Sequence, residues 1–549
     1  MKKIFLFILH AIFCITIQAQ PSSTPNVSKE IVTSPGLVVG IVVDQMRYDY
    51  LFKFWNKYSN DGFKRLVNEG FLFSNANYNY IPTNTAPGHA CIYTGTTPSV
   101  NGIINNEWYD RYEKKNIYCV ADSTVGAVGT TSISGKMSPR NLLTTTITDE
   151  LRLASRMNSK VIGIALKDRG AILPAGNMGN AAYWHDPFSN NWITSTYYMN
   201  ELPAWAEVFN QRKMCDSLMN QMWTTLLPIE TYTESSEDDN AYEGLFKGEV
   251  KPVFPHNLPA LKANESELIR ETPFGNTLTK EFAIAAVKGE NLGKGKAMDF
   301  LAVSFSSTDY VGHMYGTDAI ELEDTYLRLD RDLATFLKFL DSWTGNNYLL
   351  FLTADHGAVN NPIFEKDHKL KGGKYETTSL SDSLKKYISR IYGTDAPVSF
   401  ATAHNIYLNR NYIEENKLNL GEIQDNCVSF VTRMEGVSAA MTSAELSKGI
   451  ARTGIYSLIQ NGFNVQRSSD IMIQLQPGWI NWFSKTGTTH GSAYSYDTHV
   501  PIIFFGKRIK AGTSPEAVSV CDISPTIATM LHIEFPNGNS GKPLIQLFK

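Results

Sequence analysis

Long apolar runs are almost absent from this sequence. One stretch, residues 4–17, follows Lys2 and Lys3 and gives way to Gln18-Ala-Gln20. A basic start, a short apolar core and a small residue before a polar segment predict a secretory signal over residues 1–19. The run is too short and wrongly flanked for a membrane span. The mature protein is therefore expected outside the membrane, in the periplasm or secreted. Cysteine is scarce. Beyond Cys14 it occurs only as Cys91, Cys119, Cys215, Cys427 and Cys521, with no Cys-x-x-Cys spacing. That disfavours thiolate zinc sites. A disulfide is permitted in an oxidising compartment, but its pairing stays open. There is no strong charge excess either: the formal net charge is −4. This argues against a nucleic-acid partner, although it leaves room for a locally positive pocket. Internal repeats and extended low-complexity segments are also lacking.

What is present is a set of short β-branched runs. Residues 36–43, 160–166, 300–305, 348–353 and 499–505 read as strands covered on both faces. Helical patterns such as 320–340 lie between some of them. The alternation predicts a three-layer α/β/α sandwich with a mostly parallel central sheet. Residues 20–35, rich in Ser, Pro, Asn and Thr, read as a linker, and 36–549 as one catalytic domain. Two long stretches, about 170–298 and 357–488, read as insertions capping the site. The first carries many aromatics, expected to pack as core, and an acidic run over 234–239, expected to be a solvated loop.

Ionisable residues sit just past most of the apolar runs. Asp44 follows the first, Lys167 and Arg169 the second, Asp309 the third, and Asp355 with His356 the fourth. Ligands of open α/β sheets bind outside the carboxyl ends of the strands, so these residues are predicted to meet at one sheet edge. Asp309-x-x-x-His313 puts a carboxylate and an imidazole on one helical face. His490 lies in a Gly-Thr-Thr-His-Gly loop before the last run. Three carboxylates and three imidazoles, with an oxygen nucleophile, suffice for two catalytic metal ions, and a cysteine-free set suits zinc. Thr85 opens a helix-like segment after Pro82-Thr-Asn. Taken alone it reads as an N-cap. Beside a dication its hydroxyl becomes a nucleophile.

The ordered set Asp44, Thr85, Asp309-x-x-x-His313, Asp355-His356 and His490 resembles the alkaline phosphatase superfamily. Within it the chain is most similar to the periplasmic, phosphate-irrepressible (PafA-type) alkaline phosphatases. The likeness extends through Val42-Val-Asp-Gln-Met-Arg47, Ser138-Pro-Arg-Asn-Leu142, Thr194-Ser-Thr-Tyr-Tyr198, Glu323-Asp-Thr-Tyr-Leu-Arg-Leu-Asp330 and Gln476-Pro-Gly-Trp479. The resemblance implies two Zn²⁺ ions. Asp309, His313 and His490 would hold one; Asp44, Asp355, His356 and the Thr85 oxygen would hold the other. It also implies that Asn106, Lys167 and Arg169 contact the phosphoryl group.

A formal charge count then favours a phosphate monoester. Two dications are neutralised by three Asp and a Thr85 alkoxide, and Lys167 with Arg169 adds two positive charges, matching a dianion. Arg grips two oxygens at once, and Lys acts as a point charge. The expected reaction is hydrolysis of small phosphate monoesters through a covalent phosphothreonine, by a chain acting as a monomer. Asp497 and His499 are expected to support or pack. The competing expectations are a phosphodiesterase or nucleotide pyrophosphatase on the same scaffold, and a non-catalytic surface binding protein.

Overall fold

A computed structural model describes residues 35–263, 267–481 and 484–548. The predicted signal over 1–19 and nearly all of the linker lie outside the described residues.

The predicted strands form with small shifts at their ends. They are β1 (Leu37–Val43), β2 (Val161–Ala165), β3 (Asp299–Phe305), β4 (Tyr348–Thr353) and β5 (His499–Gly506). Every residue of β1 to β4 is buried, as expected where helices cover both faces. β1 lies between β3 and β4 and is parallel to both; β2 adds in parallel beyond β3. β5 runs antiparallel to β4 and to Phe71–Asn77. The whole is one mixed, mostly parallel sheet of 11 strands, in the α/β/α arrangement the sequence predicts. The helix expected over 320–340 runs from Ile320 to Thr344.

The two long stretches behave differently. Within 170–298, Ala181–Asp186 pairs in parallel with β2 and Asn191–Ser195 pairs with Ala181–Asp186, so this part widens the main sheet. The aromatics Trp184, Trp192 and Trp223 are buried core, as expected. The acidic run is not simply solvated: Glu234 pairs with Lys57, and the half-buried Asp238 accepts the Phe254 N–H. Within 357–488 the chain builds a second, four-stranded sheet with its own core, including Leu380, Leu384, Ile423 and Ile471. Cys91 and Cys521, 430 residues apart, bring their buried sulfurs to 3.0 Å.

Candidate active site

Sheet direction gathers the site. β1, β2, β3 and β4 run the same way, so Asp44, Lys167, Asp309 and Asp355 emerge at one edge. β5 runs the opposite way, so the loop before it, carrying His490, returns to that same edge. Phe71–Asn77 is antiparallel to β5 and so delivers the next segment there too. That segment is helix α1 (Thr85–Thr94), all of it buried. Asn84 occupies the N-cap position with an extended backbone, and Thr85 is the first helical residue rather than the cap. Helix α2 (Ser307–Tyr315) places Asp309 and His313 one turn apart.

The three imidazoles are oriented alike. His313 Nδ1 donates to Thr488 O at 2.8 Å, His490 Nδ1 to Thr83 O at 2.8 Å, and His356 Nδ1 to Gly357 O at 2.9 Å. Carbonyls only accept, so each Nδ1 carries a proton, and in the neutral ring each Nε2 is then an acceptor. Each Nε2 faces a carboxylate. His313 and His490 lie 3.2 and 3.6 Å from Asp309 Oδ1, and His356 lies 3.5 Å from Asp44 Oδ1 and 3.7 Å from Asp355 Oδ2. Acceptors thus point at acceptors. Asp44 Oδ1, Asp355 Oδ2 and His356 Nε2 are all buried with no hydrogen-bond partner. Buried polar atoms are normally paired, and this donor set could hold a cation.

Two groups have ligand atoms within 4.8 Å of one another: Asp309 with His356 and His490, and Asp44 with Asp355 and His356. His356 belongs to both, and its ring stacks on His490 with centroids 3.5 Å apart. The first group thus has His356 where the expected set had His313, which faces Asp309 Oδ1 from 3.2 Å without joining either group.

Burial disfavours every charge here, and charged partners override it at Asp309 and Asp355 but not at Asp44, His356 or His490. At Asp309 burial is overridden by His313 and Lys167, which hold the carboxyl well below its usual range. At Asp355, His356 and His89 do the same. At Asp44 burial dominates, and with Asp355 nearby it raises the carboxyl despite Lys167. Burial also pushes His356 and His490 down.

Lys167 does not stand apart from the carboxylates. Its Nζ donates to Asp309 Oδ2 at 2.5 Å and Asp44 Oδ2 at 2.6 Å, and lies 3.5 Å from Thr85 Oγ1. A desolvated ammonium takes such partners because an unpaired buried charge is costly. Arg169 follows on the same turn. Its Nη1 donates to Tyr118 Oη at 3.1 Å, and that hydroxyl donates to Asp168 at 2.5 Å. Asn106 Oδ1 accepts the Ala86 N–H at 2.8 Å, which leaves its amide N–H groups as the donors on offer. With Ala86 N–H engaged and no N–H on Pro87, anion contacts at the start of α1 fall mainly to side chains.

Sequence reasoning did not single out two further residues. Gln45 has φ 63, donates its backbone N–H to Asp355 Oδ1 at 3.1 Å, and donates Nε2–H to Asp309 Oδ1 at 2.6 Å. Gly312 makes room for it, since a Cβ there would lie 2.0 Å from Gln45 Oε1. His89, one turn after Thr85, lies 2.8 Å from Thr85 O, 2.9 Å from Ser304 Oγ and 3.3 Å from Asp355 Oδ2. A buried histidine four residues after the nucleophile candidate was the available signal. Asp497 and His499 stay outside the cluster: Asp497 accepts the Ser492 N–H, and His499 stacks on Tyr48.

Comparison with known proteins places the chain in a family. The family model described as type I phosphodiesterase / nucleotide pyrophosphatase matches residues 38–497. A Myroides odoratus protein named calcium-transporting ATPase is 47% identical over 94% of this chain and 95% of its own length. Alkaline phosphatase PafA of Elizabethkingia meningoseptica is 44% identical over 94% of this chain and 95% of its own. Alkaline phosphatase PhoV of Synechococcus elongatus is 43% identical over the full length of both. The crystal structure of wild-type PafA superposes with a TM-score of 0.91, covering 94% of this chain and 99% of that one. The chain therefore belongs to the type I phosphodiesterase / nucleotide pyrophosphatase family, and within it resembles the PafA-type alkaline phosphatases over nearly its whole length.

Proposed function

We propose that this chain is an alkaline phosphatase that hydrolyses phosphate monoesters to an alcohol and inorganic phosphate, with Thr85 as nucleophile. The observation that carries the reading is the Thr85 hydroxyl beside Lys167, at the edge where Asp44, Asp309 and Asp355 meet His356 and His490, with His313 facing Asp309. Relatives named alkaline phosphatases align with it along nearly the full chain.

Asp309, His313 and His490 on one side, and Asp44, Asp355 and His356 on the other, would hold two divalent ions. Orphaned buried acceptors and an oxygen/imidazole donor set without thiolates fit zinc. When bound, the ions would lower the pKa of the Thr85 hydroxyl and stabilise charge on the departing oxygen.

The chain's own residues do the rest. Thr85 Oγ1 attacks phosphorus, the bond to the alcohol oxygen breaks, and that oxygen leaves with a proton. Water then attacks the phosphothreonine, the bond to Thr85 Oγ1 breaks, and the hydroxyl regains its proton. Lys167, Arg169 and the Asn106 amide hold the phosphoryl oxygens, so positioning and charge stabilisation supply the acceleration. The predicted signal supports export to the periplasm. Among the described residues no helix is long and apolar enough to cross a membrane.

The test is direct. Chelation should abolish hydrolysis of an aryl phosphate and added zinc should restore it. Thr85→Ala should lose most turnover while still binding zinc. Full activity in that variant rejects Thr85 as nucleophile. Faster turnover of the matching diester would favour the phosphodiesterase reading.

A further inference from the structure

Two cavities flank the site, and their chemistries are opposite. One, about 190 Å³, is lined by Lys167, Arg169, Arg270 and His185 together with Asp168 and Glu267, a charged wall suited to an anion. The other, about 290 Å³, meets the site at His490 and at Asn84, the residue before Thr85. Among the described residues no Lys or Arg lines it, and Glu107 is the one carboxylate. Its walls come from two distant parts of the chain. Trp108 and Tyr109 belong to the strand Glu107–Asp110, and Phe400 and Tyr407 belong to the second sheet within 357–488. Tyr109 sits 5.9 Å from Phe400 and 5.3 Å from Tyr407, centroid to centroid, tying the two walls together. The amides of Asn84, Asn105 and Asn481 supply hydrogen-bonding groups between the rings.

We infer that this second cavity binds the alcohol portion of the substrate, and that it selects monoesters of uncharged aromatic or heteroaromatic alcohols. The inference rests on the phosphatase reading above and adds the substrate class. In-line displacement sends the leaving oxygen away from Thr85, toward the side of Asp309, His313 and His490, and His490 lines this cavity. An aromatic wall with scattered amides is the lining of a site for a flat, neutral ring that carries polar edges. A second phosphate or an acidic tail would face Glu107, and the nearby Arg467 and Arg111 lie against the Trp108 and Tyr407 rings and bond to backbone carbonyls and Asp470. The volume, at the low end for ligand pockets, holds one ring system. Phe400, 41% exposed at a position where rings otherwise pack together, is the surface such a ligand would cover.

The test compares kcat/KM for phenyl phosphate and glycerol 1-phosphate in the wild type, Phe400→Ala, Phe400→Tyr and Tyr109→Ala. Phe400 is partly exposed, so its loss should leave the melting temperature near that of the wild type. The phenyl-to-glycerol ratio should fall about tenfold in Phe400→Ala, mainly through KM, as expected for one lost ring contact. Phe400→Tyr should keep the ratio, and Tyr109→Ala should lower it in the same direction. Equal losses on both esters, or an unchanged ratio in both alanine variants, overturn the inference while the phosphatase reading stands. A wild type that hydrolyses neither ester overturns both.

Discussion

Gln45 offers the sharpest test of how the carboxylates are held. Its side chain donates one short bond to Asp309 Oδ1, the oxygen that His313 and His490 face, and its backbone N–H reaches Asp355. Gln45→Ala removes the side-chain bond and keeps the backbone one. A hydrogen bond to a charged group contributes about 1.5–3 kcal/mol net. At roughly 1.4 kcal/mol per decade, that is about a 10- to 100-fold loss of zinc affinity, within the range for groups that orient a metal ligand. Gln45→Gly removes the same bond and also relieves a left-handed backbone (φ 63), returning about 1 kcal/mol of stability. The two variants should therefore show similar zinc affinities, and the glycine form should unfold at higher denaturant. The assay is recovery of activity by metal-free protein in zinc buffers, paired with urea unfolding of the metal-free forms. Zinc affinity within twofold of wild type in both variants would refute the argument that this bond holds Asp309 in place.

Three further outcomes are expected. Replacing Lys167 and Arg169 together by Ala should cost monoester hydrolysis at least tenfold more than diester hydrolysis, because the dianion loses two cations; matched losses in kcat/KM contradict this. Gly88→Ala places a Cβ 2.4 Å from Asp355 O, so α1 or Asp355 must shift, and kcat should fall at least tenfold while the fold persists by circular dichroism; unchanged kcat would mean the helix has slack that the structure does not show. His256 is fully buried; burial would lower its pKa, but its bonds to Glu249 and Glu321 outweigh that and raise it to about 9. Its stabilisation is complete below pH ~6.5 and is lost as pH rises through 9, by about 3 kcal/mol. Urea midpoints should fall more steeply between pH 7 and 10 for wild type than for His256→Gln, and parallel slopes would exclude this linkage.

The sequence by itself determined the strands, because a strand buried on both faces must be a nearly unbroken apolar run: β4 matches its expected bounds, and β1, β2, β3 and β5 differ by a residue at one end or both. It also determined which residues stand at the strand ends, since those follow the runs directly. It could not reveal the widening of the sheet by Ala181–Asp186 and Asn191–Ser195, which lie inside a stretch read as a cap, because strand order is set by packing between distant segments. Only the tertiary structure brought Gln45 between Asp309 and Asp355, placed Lys167 between two carboxylates, and set the Cys91 and Cys521 sulfurs together. The physical reason is the same for each. Local pattern records which residues want to be buried, whereas a buried charge or amide is positioned by partners hundreds of residues away, and those partners meet only when the sheet has closed.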